Sequence, residues 1–228
     1  LNNSINILSI DLDAFWESGE TIYVNNFKKL FPNHLEILNL FKKLTYKQIN
    51  YGIDHNEIMQ LIDRYPNSKF NIYNYDAHHD LYALNNNIWL NPLNIRGKKV
   101  DIGNMFFQLM REDKIIKYNW IVNTNVHNTL TEDVKQHIGK SYLKKVNIIT
   151  AENFSSKTHF DHLFISISPE WIPKNNLDWI ISMINCFKEL NDIEIYNLKQ
   201  KVLHRWSLGD DNILINADRF YFNYQYVK

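Results

Sequence analysis

Strand-like and helix-like periods alternate along this chain. Residues 5–10 form a short apolar run that predicts a buried strand, and Phe70-Asn71-Ile72-Tyr73-Asn74-Tyr75 alternates with the period of two that a pleated strand imposes. Between them, residues 27–44 carry a helical pattern interrupted by Pro32. Residues 55–65, introduced by Gly52-Ile53-Asp54, place Ile58, Leu61 and Ile62 along one side of a predicted helix. After the loop at Asn85-Asn86-Asn87, Gly103-Asn104 opens a predicted helix to about residue 112, and residues 115–122 and 146–149 predict further strands. Leu163-Phe164-Ile165-Ser166-Ile167-Ser168 is the next strand pattern, closed by Pro169 and followed by Glu170-Trp171, with a helix expected over 177–190. The aromatic alternation over 219–226 is compatible with a last strand or a packing arm. Strands interleaved with helices predict an α/β sheet in place of a bundle or a sandwich.

Composition bounds this picture without altering it. The 228 residues, 45% hydrophobic and 14% aromatic, can bury one full core, and no repeat or linker divides them, so residues 1–228 are expected to form a single domain. The 25 basic and 25 acidic residues cancel, leaving no global field to draw nucleic acid or an anionic membrane. Cys186 is the single cysteine, cannot form an internal disulfide, and is expected to be a buried thiol. No run is apolar enough over its length to span a bilayer and no secretion signal is recognisable, so a cytoplasmic location is expected.

The candidate chemistry lies at two strand ends. Asp76-Ala77-His78-His79-Asp80 follows the second strand, and Asp11-Leu12-Asp13 ends the first. In an extended segment every second side chain points the same way, about 7 Å apart, which would bring Asp76, His78 and Asp80 to one face, and Asp11 and Asp13 likewise. Carboxylates and imidazoles gathered this densely call for a positive charge among them, and a divalent cation supplies it. A D-x-D pair alone is as readily the cap of a strand-to-helix turn.

These residues carry a family resemblance. Asp76-Ala77-His78-His79-Asp80 resembles the D-A-H-x-D motif of the arginase and agmatinase superfamily, whose members hold two manganese ions between strand ends. Ser9-Ile10-Asp11-Leu12-Asp13 is similar to its S-x-D-x-D strand, and Gly52-Ile53-Asp54-His55 to its G-G-D-H element. Here the S-x-D-x-D element precedes the other two, whereas in classical arginases it follows D-A-H-x-D, so the chain looks permuted. That order, with Gly103-Asn104 and the segment from Ser166 to Trp171, resembles the peptide arginases formerly grouped as an uncharacterised protein family, which convert arginine residues of ribosomally made peptides to ornithine. The resemblance covers most of residues 5–173.

It implies a three-layer arginase-like fold with permuted strand order, two Mn²⁺ ions, and an arginine-containing precursor peptide as substrate. It also implies the metal ligands: Asp76 and Asp11 bridging, His55 and Asp80 completing one ion, His78 and Asp13 the other. An oxygen-rich set with two imidazoles suits Mn²⁺. By the same resemblance Asp80 holds the proton released from a bridging water and passes it to the leaving amine. Glu170 is the candidate to face the substrate guanidinium, and is equally a first-turn helix acid. Trp171 is expected in the core, and His79 either orients a carboxylate or is an ordinary buried histidine. His127 and His162 carry no role.

Three other readings compete. In a haloacid dehalogenase-type phosphatase, Asp11 would be the nucleophile, Ser166 or Ser168 the strand-end hydroxyl, and Gly209-Asp210-Asp211 the Mg²⁺-binding acids, but the D-A-H-H-D run then has no role. A single-zinc amide deacetylase would lack ligands for a second ion that are present here as His55, Asp80 and Asp13. A peptide-binding module with a structural metal would be the non-enzymatic reading, and no ligand has been replaced to favour it.

Overall fold

A computed structural model describes residues 4–16, 29–81, 93–95, 98–100, 103–123, 138, 140–154 and 158–207. The apolar runs form β1 (Ser4–Asp11), β3 (Lys69–Tyr75), β6 (Ile115–Val122), β7 (Val146–Thr150) and β8 (Phe160–Ser166). With β2 (Tyr46–Gly52) they make a six-stranded sheet in the order β2-β8-β1-β3-β6-β7, every neighbouring pair parallel. A separate two-stranded hairpin joins β4 (Leu93–Ile95) to β5 (Lys98–Val100).

Side-chain alternation divides the core between the two faces. Leu8 and Ile10 of β1 face a layer formed by α1 (His34–Lys42), α5 (Leu177–Asn185) and α6 (Asp192–Ser207), which contribute Phe41, Ile180 and Val202 among others. Ile7 faces the opposite layer, where α2 (Ile58–Asp63) and α3 (Met105–Arg111) contribute Ile58, Ile62, Phe106 and Leu109. A short helix, α4 (Lys140–Leu143), precedes β7. The architecture is therefore a three-layer α/β fold: the alternating periods predict the α/β sheet, and the motif resemblance implies the three layers. No described helix is long and apolar enough to cross a membrane.

The winding places the site. From β1 the chain lays down β2 two places to one side, then returns to lay β3 directly against the other flank of β1. Such a reversal opens a crevice beyond the carboxyl ends of the strands it separates. Asp11 of β1 pairs in register with Ser166 of β8, which pairs with Gly52 of β2, and Ile10 pairs with Tyr75 immediately before Asp76.

Several elements differ from the sequence expectation. The described part of 27–44 is helical only over α1, and Pro32 lies in the turn before it, where its fixed φ and missing N–H are tolerated. The predicted helix over 55–65 begins as a 3-10 turn, His55–Glu57, because the Glu57 carboxylate folds back to accept from the Ile53 and Asp54 amides at 3.1 and 3.2 Å. Strand β2 is unpredicted: as an edge strand carrying Lys47, Gln48 and Asn50 it owes its conformation to pairing with β8. Helix α6 is also unpredicted, its buried stripe being only Leu198, Val202 and Trp206. The helix expected to reach residue 190 ends at Asn185, and Cys186 caps it half-buried instead of lying in the core. The segment 219–226 lies outside the described residues.

Candidate metal centre

Each strand end delivers its acid or imidazole by a different local device. Asp11 caps the 3-10 turn Leu12–Phe15, its side chain accepting from the Asp13 amide at 3.3 Å, so the capping and clustering roles coexist. His55 enters on the first residue of the turn after β2. Asp76, His78 and Asp80 converge through a bend and not through the extended alternation expected of them. The His78 amide donates to Asp76 Oδ1 at 2.8 Å, and Asp80 takes a left-handed conformation with φ 51°. A non-glycine residue held there costs about 1–3 kcal/mol, so the surroundings over-determine it. Ser168, after β8, is left-handed too, with φ 46°.

The side chains meet in two overlapping groups whose donor atoms lie within 4.8 Å of one another: Asp11, His55 and Asp76, then Asp13, Asp76 and His78. Asp76 belongs to both. Around His55 Nδ1 stand Asp80 Oδ2 at 2.8 Å, Asp76 Oδ2 at 3.0 Å and Asp11 Oδ2 at 3.3 Å. His78 Nδ1 lies 3.4 Å from Asp13 Oδ2 and 3.7 Å from Asp76 Oδ1. The four carboxylates and His55 are each at most 5% exposed. Phe164 stacks on the His55 ring and Phe106 meets it edge-on, giving the cluster an apolar wall.

Four buried carboxylates against two imidazoles leave an excess of negative charge even when both rings are protonated. Burial, then the charge of Asp13, pushes the Asp11 carboxyl up to about 7. Burial followed by the charge of Asp76 drives Asp80 well above the ordinary carboxylate range. For Asp76 the effect of burial is outweighed by the imidazoles of His55 and His78, which hold it below that range. Burial would lower both histidines, yet the surrounding carboxylates raise them well above an ordinary imidazole.

The residues fit a divalent metal on two observations. His55 Nδ1, Asp80 Oδ2 and Asp13 Oδ1 are buried with no hydrogen-bond partner, although oxygens crowd the imidazole nitrogen. The other ring nitrogen, Nε2, meets Ser9 Oγ at 2.7 Å, a contact that orients the ring with Nδ1 turned to the cluster. Cations placed among these oxygens would replace the protons that burial otherwise forces onto them. The set contains no thiolate and suits hard or borderline divalent ions.

All six residues expected as ligands are therefore assembled. Asp76 faces both groups. Asp11 Oδ2 also accepts from Ser168 Oγ at 2.6 Å. Glu170 lies in the 3-10 turn Pro169–Trp171 beside the cluster, its carboxylate ion-paired with Arg205. Trp171 borders the site, its ring 4.9 Å from that of His78, and is half-buried, not a core residue. His79 turns away, as alternation suggests: its Nδ1 accepts from the Leu81 amide at 3.0 Å and its ring meets Trp120 edge-on. His162 is in β8 with its ring tilted against that of Tyr65, away from the strand ends that carry the cluster. His127 and Gly209-Asp210-Asp211 lie outside the described residues.

The supporting contacts were not singled out by sequence. Asn74 donates to Asp76 Oδ2 at 3.1 Å, and Trp120 Nε1 donates to the Asp76 carbonyl at 2.9 Å. Asn74 sits on the strand face that alternation turns toward Tyr118, and a buried asparagine one turn of the pleat before an aspartate is the signal that could have found it. Arg205 carries no such signal, and Ser168 enters the sequence reading only as a strand-end hydroxyl of the phosphatase alternative, not as a support of Asp11.

No family model, curated protein or solved structure matches this chain.

Proposed function

We propose that the protein is a metal-dependent hydrolase that removes urea from arginine residues of a ribosomally made precursor peptide, leaving ornithine, with two Mn²⁺ ions as its cofactor. The observation that carries the reading is the sharing of Asp76 between two donor groups, one buried and one buried but for a half-exposed His78, which suits a pair of ions better than one. Asp11, His55, Asp76 and Asp80 would hold the first ion, and Asp13, Asp76 and His78 the second. Bound there, the ions would supply Lewis acidity, lowering the pKa of water and polarising an electrophilic carbon.

The chain's own residues then have separate tasks. Glu170 is the proposed acceptor for the substrate guanidinium on the strength of the motif resemblance; its carboxylate accepts from Arg205, and the next residue, Trp171, lies against His78. A carboxylate offers two oxygens with about four acceptor directions, so one pairing orients the group without exhausting it. Asp80 Oδ2, buried 2.8 Å from His55 Nδ1, is the proposed proton carrier, receiving a proton from the attacking water and delivering it to the departing ornithine amine. Phe106 and Phe164 exclude water from the His55 side.

The arginine-peptide assignment rests on the motif resemblance, and its test is direct. An arginine-containing peptide incubated with Mn²⁺-loaded protein is expected to lose about 42 Da per modified arginine, the net of one water added and one urea released. One observation favours the phosphatase reading, the hydroxyl of Ser168 on Asp11 at 2.6 Å. Cleavage of phosphate esters with no change in peptide mass would decide for it.

A further inference from the structure

Arg205, in the last turn of α6, lies between carboxylates from two different turns of the metal centre. Its Nη1 donates to Asp54 Oδ2 at 2.9 Å and its Nη2 to Glu170 Oε1. Asp54 caps the turn that carries His55. Glu170 belongs to the turn whose Ser168 holds Asp11 and whose Trp171 borders His78. The three side chains are only 6 to 16% exposed. Trp206, the next residue, donates its Nε1 to the Pro169 carbonyl at 2.7 Å, so α6 grips the β8 turn at two adjacent points. Leu198, Val202 and Trp206 anchor that helix in the core.

The two turns also touch directly. The Ile167 and Ser168 amides donate to the Gly52 and Ile53 carbonyls at 3.1 and 2.9 Å. Those bonds join the inner ends of the turns, and the guanidinium closes the outer end, where two acidic side chains would otherwise repel. A planar fork reaches both carboxylates at once, which a lysine's point charge does not.

We infer that Arg205 is a positioning residue of the metal centre, its guanidinium locking the His55 turn to the Ser168–Trp171 turn so that the donor set is preorganised for divalent cations. The inference rests on the metal reading above and not on the choice of arginine as substrate. A guanidinium that only blocked the Glu170 carboxylate would need one partner; this one ties together two turns that each steer a metal donor.

The test is Mn²⁺ affinity, measured well below the melting temperature of each variant. Arg205→Met, which keeps the stem volume, is expected to bind Mn²⁺ about tenfold or more weakly than wild type, with millimolar guanidinium restoring much of the loss. Arg205→Lys keeps the charge and should fold even where the methionine variant does not; it too is expected to bind more weakly. Wild-type affinity in either variant overturns the inference. A loss in Arg205→Met that guanidinium leaves unchanged also overturns it, because that is the mark of general loosening. A wild-type chain that takes up no divalent ion overturns the metal reading itself.

Discussion

Removing the Asp76 carboxylate takes a donor from both groups at once, because its Oδ2 faces His55 at 3.0 Å while its Oδ1 faces His78 at 3.7 Å. Asp76→Ala is therefore expected to abolish metal retention and turnover together, read as metal per chain by elemental analysis. Ser168 acts one contact further out, through its 2.6 Å bond to Asp11, so Ser168→Ala should weaken metal binding about 10- to 100-fold with the fold intact, measurable by Mn²⁺ titration. Asp11, Asp13, Asp76, His78 and Asp80 were legible in the sequence because acids and imidazoles packed so densely at strand ends repel or lose solvation unless a cation sits among them, whereas His55 was named only through the motif resemblance. The supports of these donors were not legible. Ser168 works through a left-handed backbone and Arg205 through a helix distant in sequence, and neither property has a local pattern. The extended alternation assumed for residues 76–80 reached the right residues by a different geometry, since the bend at His78 and the left-handed Asp80 do the converging.

At the level of elements, the turn after β2 depends on the absence of a side chain at Gly52. A Cβ there would stand 3.0 Å from both Glu57 Oε2 and Phe164 Cζ, in the space of the carboxylate that caps the Ile53 and Asp54 amides. Gly52→Ala is expected to cost about 1–3 kcal/mol of stability, seen as a lowered denaturation midpoint, and to weaken metal binding through His55. At the opposite end of the sheet, Asp113 accepts from Lys69 at the start of β3 and from Lys145 just before β7. Those lysines depress its carboxyl from 3.8 to about 2. A depressed acid stabilises above its unfolded pKa, so this contribution is present above about pH 4 and is lost as the pH falls toward 2. Asp113→Asn should accordingly lower the melting temperature slightly at neutral pH and low salt, with the difference vanishing at pH 2 or in high salt. The central strands were legible, β1 through its apolar run and β3 through its period-two alternation, whereas the edge strand β2 and the sparsely apolar α6 are made by tertiary partners that no local window contains.

For the whole molecule, an ion held by the cluster would make metal binding and folding one equilibrium. Buried carboxylates that repel one another in the absence of a cation should make the metal-free protein less stable, and an ion bound only by the folded state at a hundred times its dissociation constant adds about 2.7 kcal/mol. For a chain of 228 residues this corresponds to a rise in melting temperature of about 5–10 °C on adding Mn²⁺, reversed by a chelator. The three-layer sheet serves the same end: reversal of winding at β1 sets the carboxyl ends of β2, β8, β1 and β3 side by side, and all the proposed ligands issue from three of them. Whether Asp76 joins two ions is decided by the Mn²⁺ stoichiometry of the purified protein, taken together with the electron paramagnetic resonance spectrum of the bound ions. Two ions per chain with an exchange-coupled spectrum, both lost in Asp76→Ala, is the result predicted. No bound ion, or binding that survives unchanged without the Asp76 carboxylate, would contradict it.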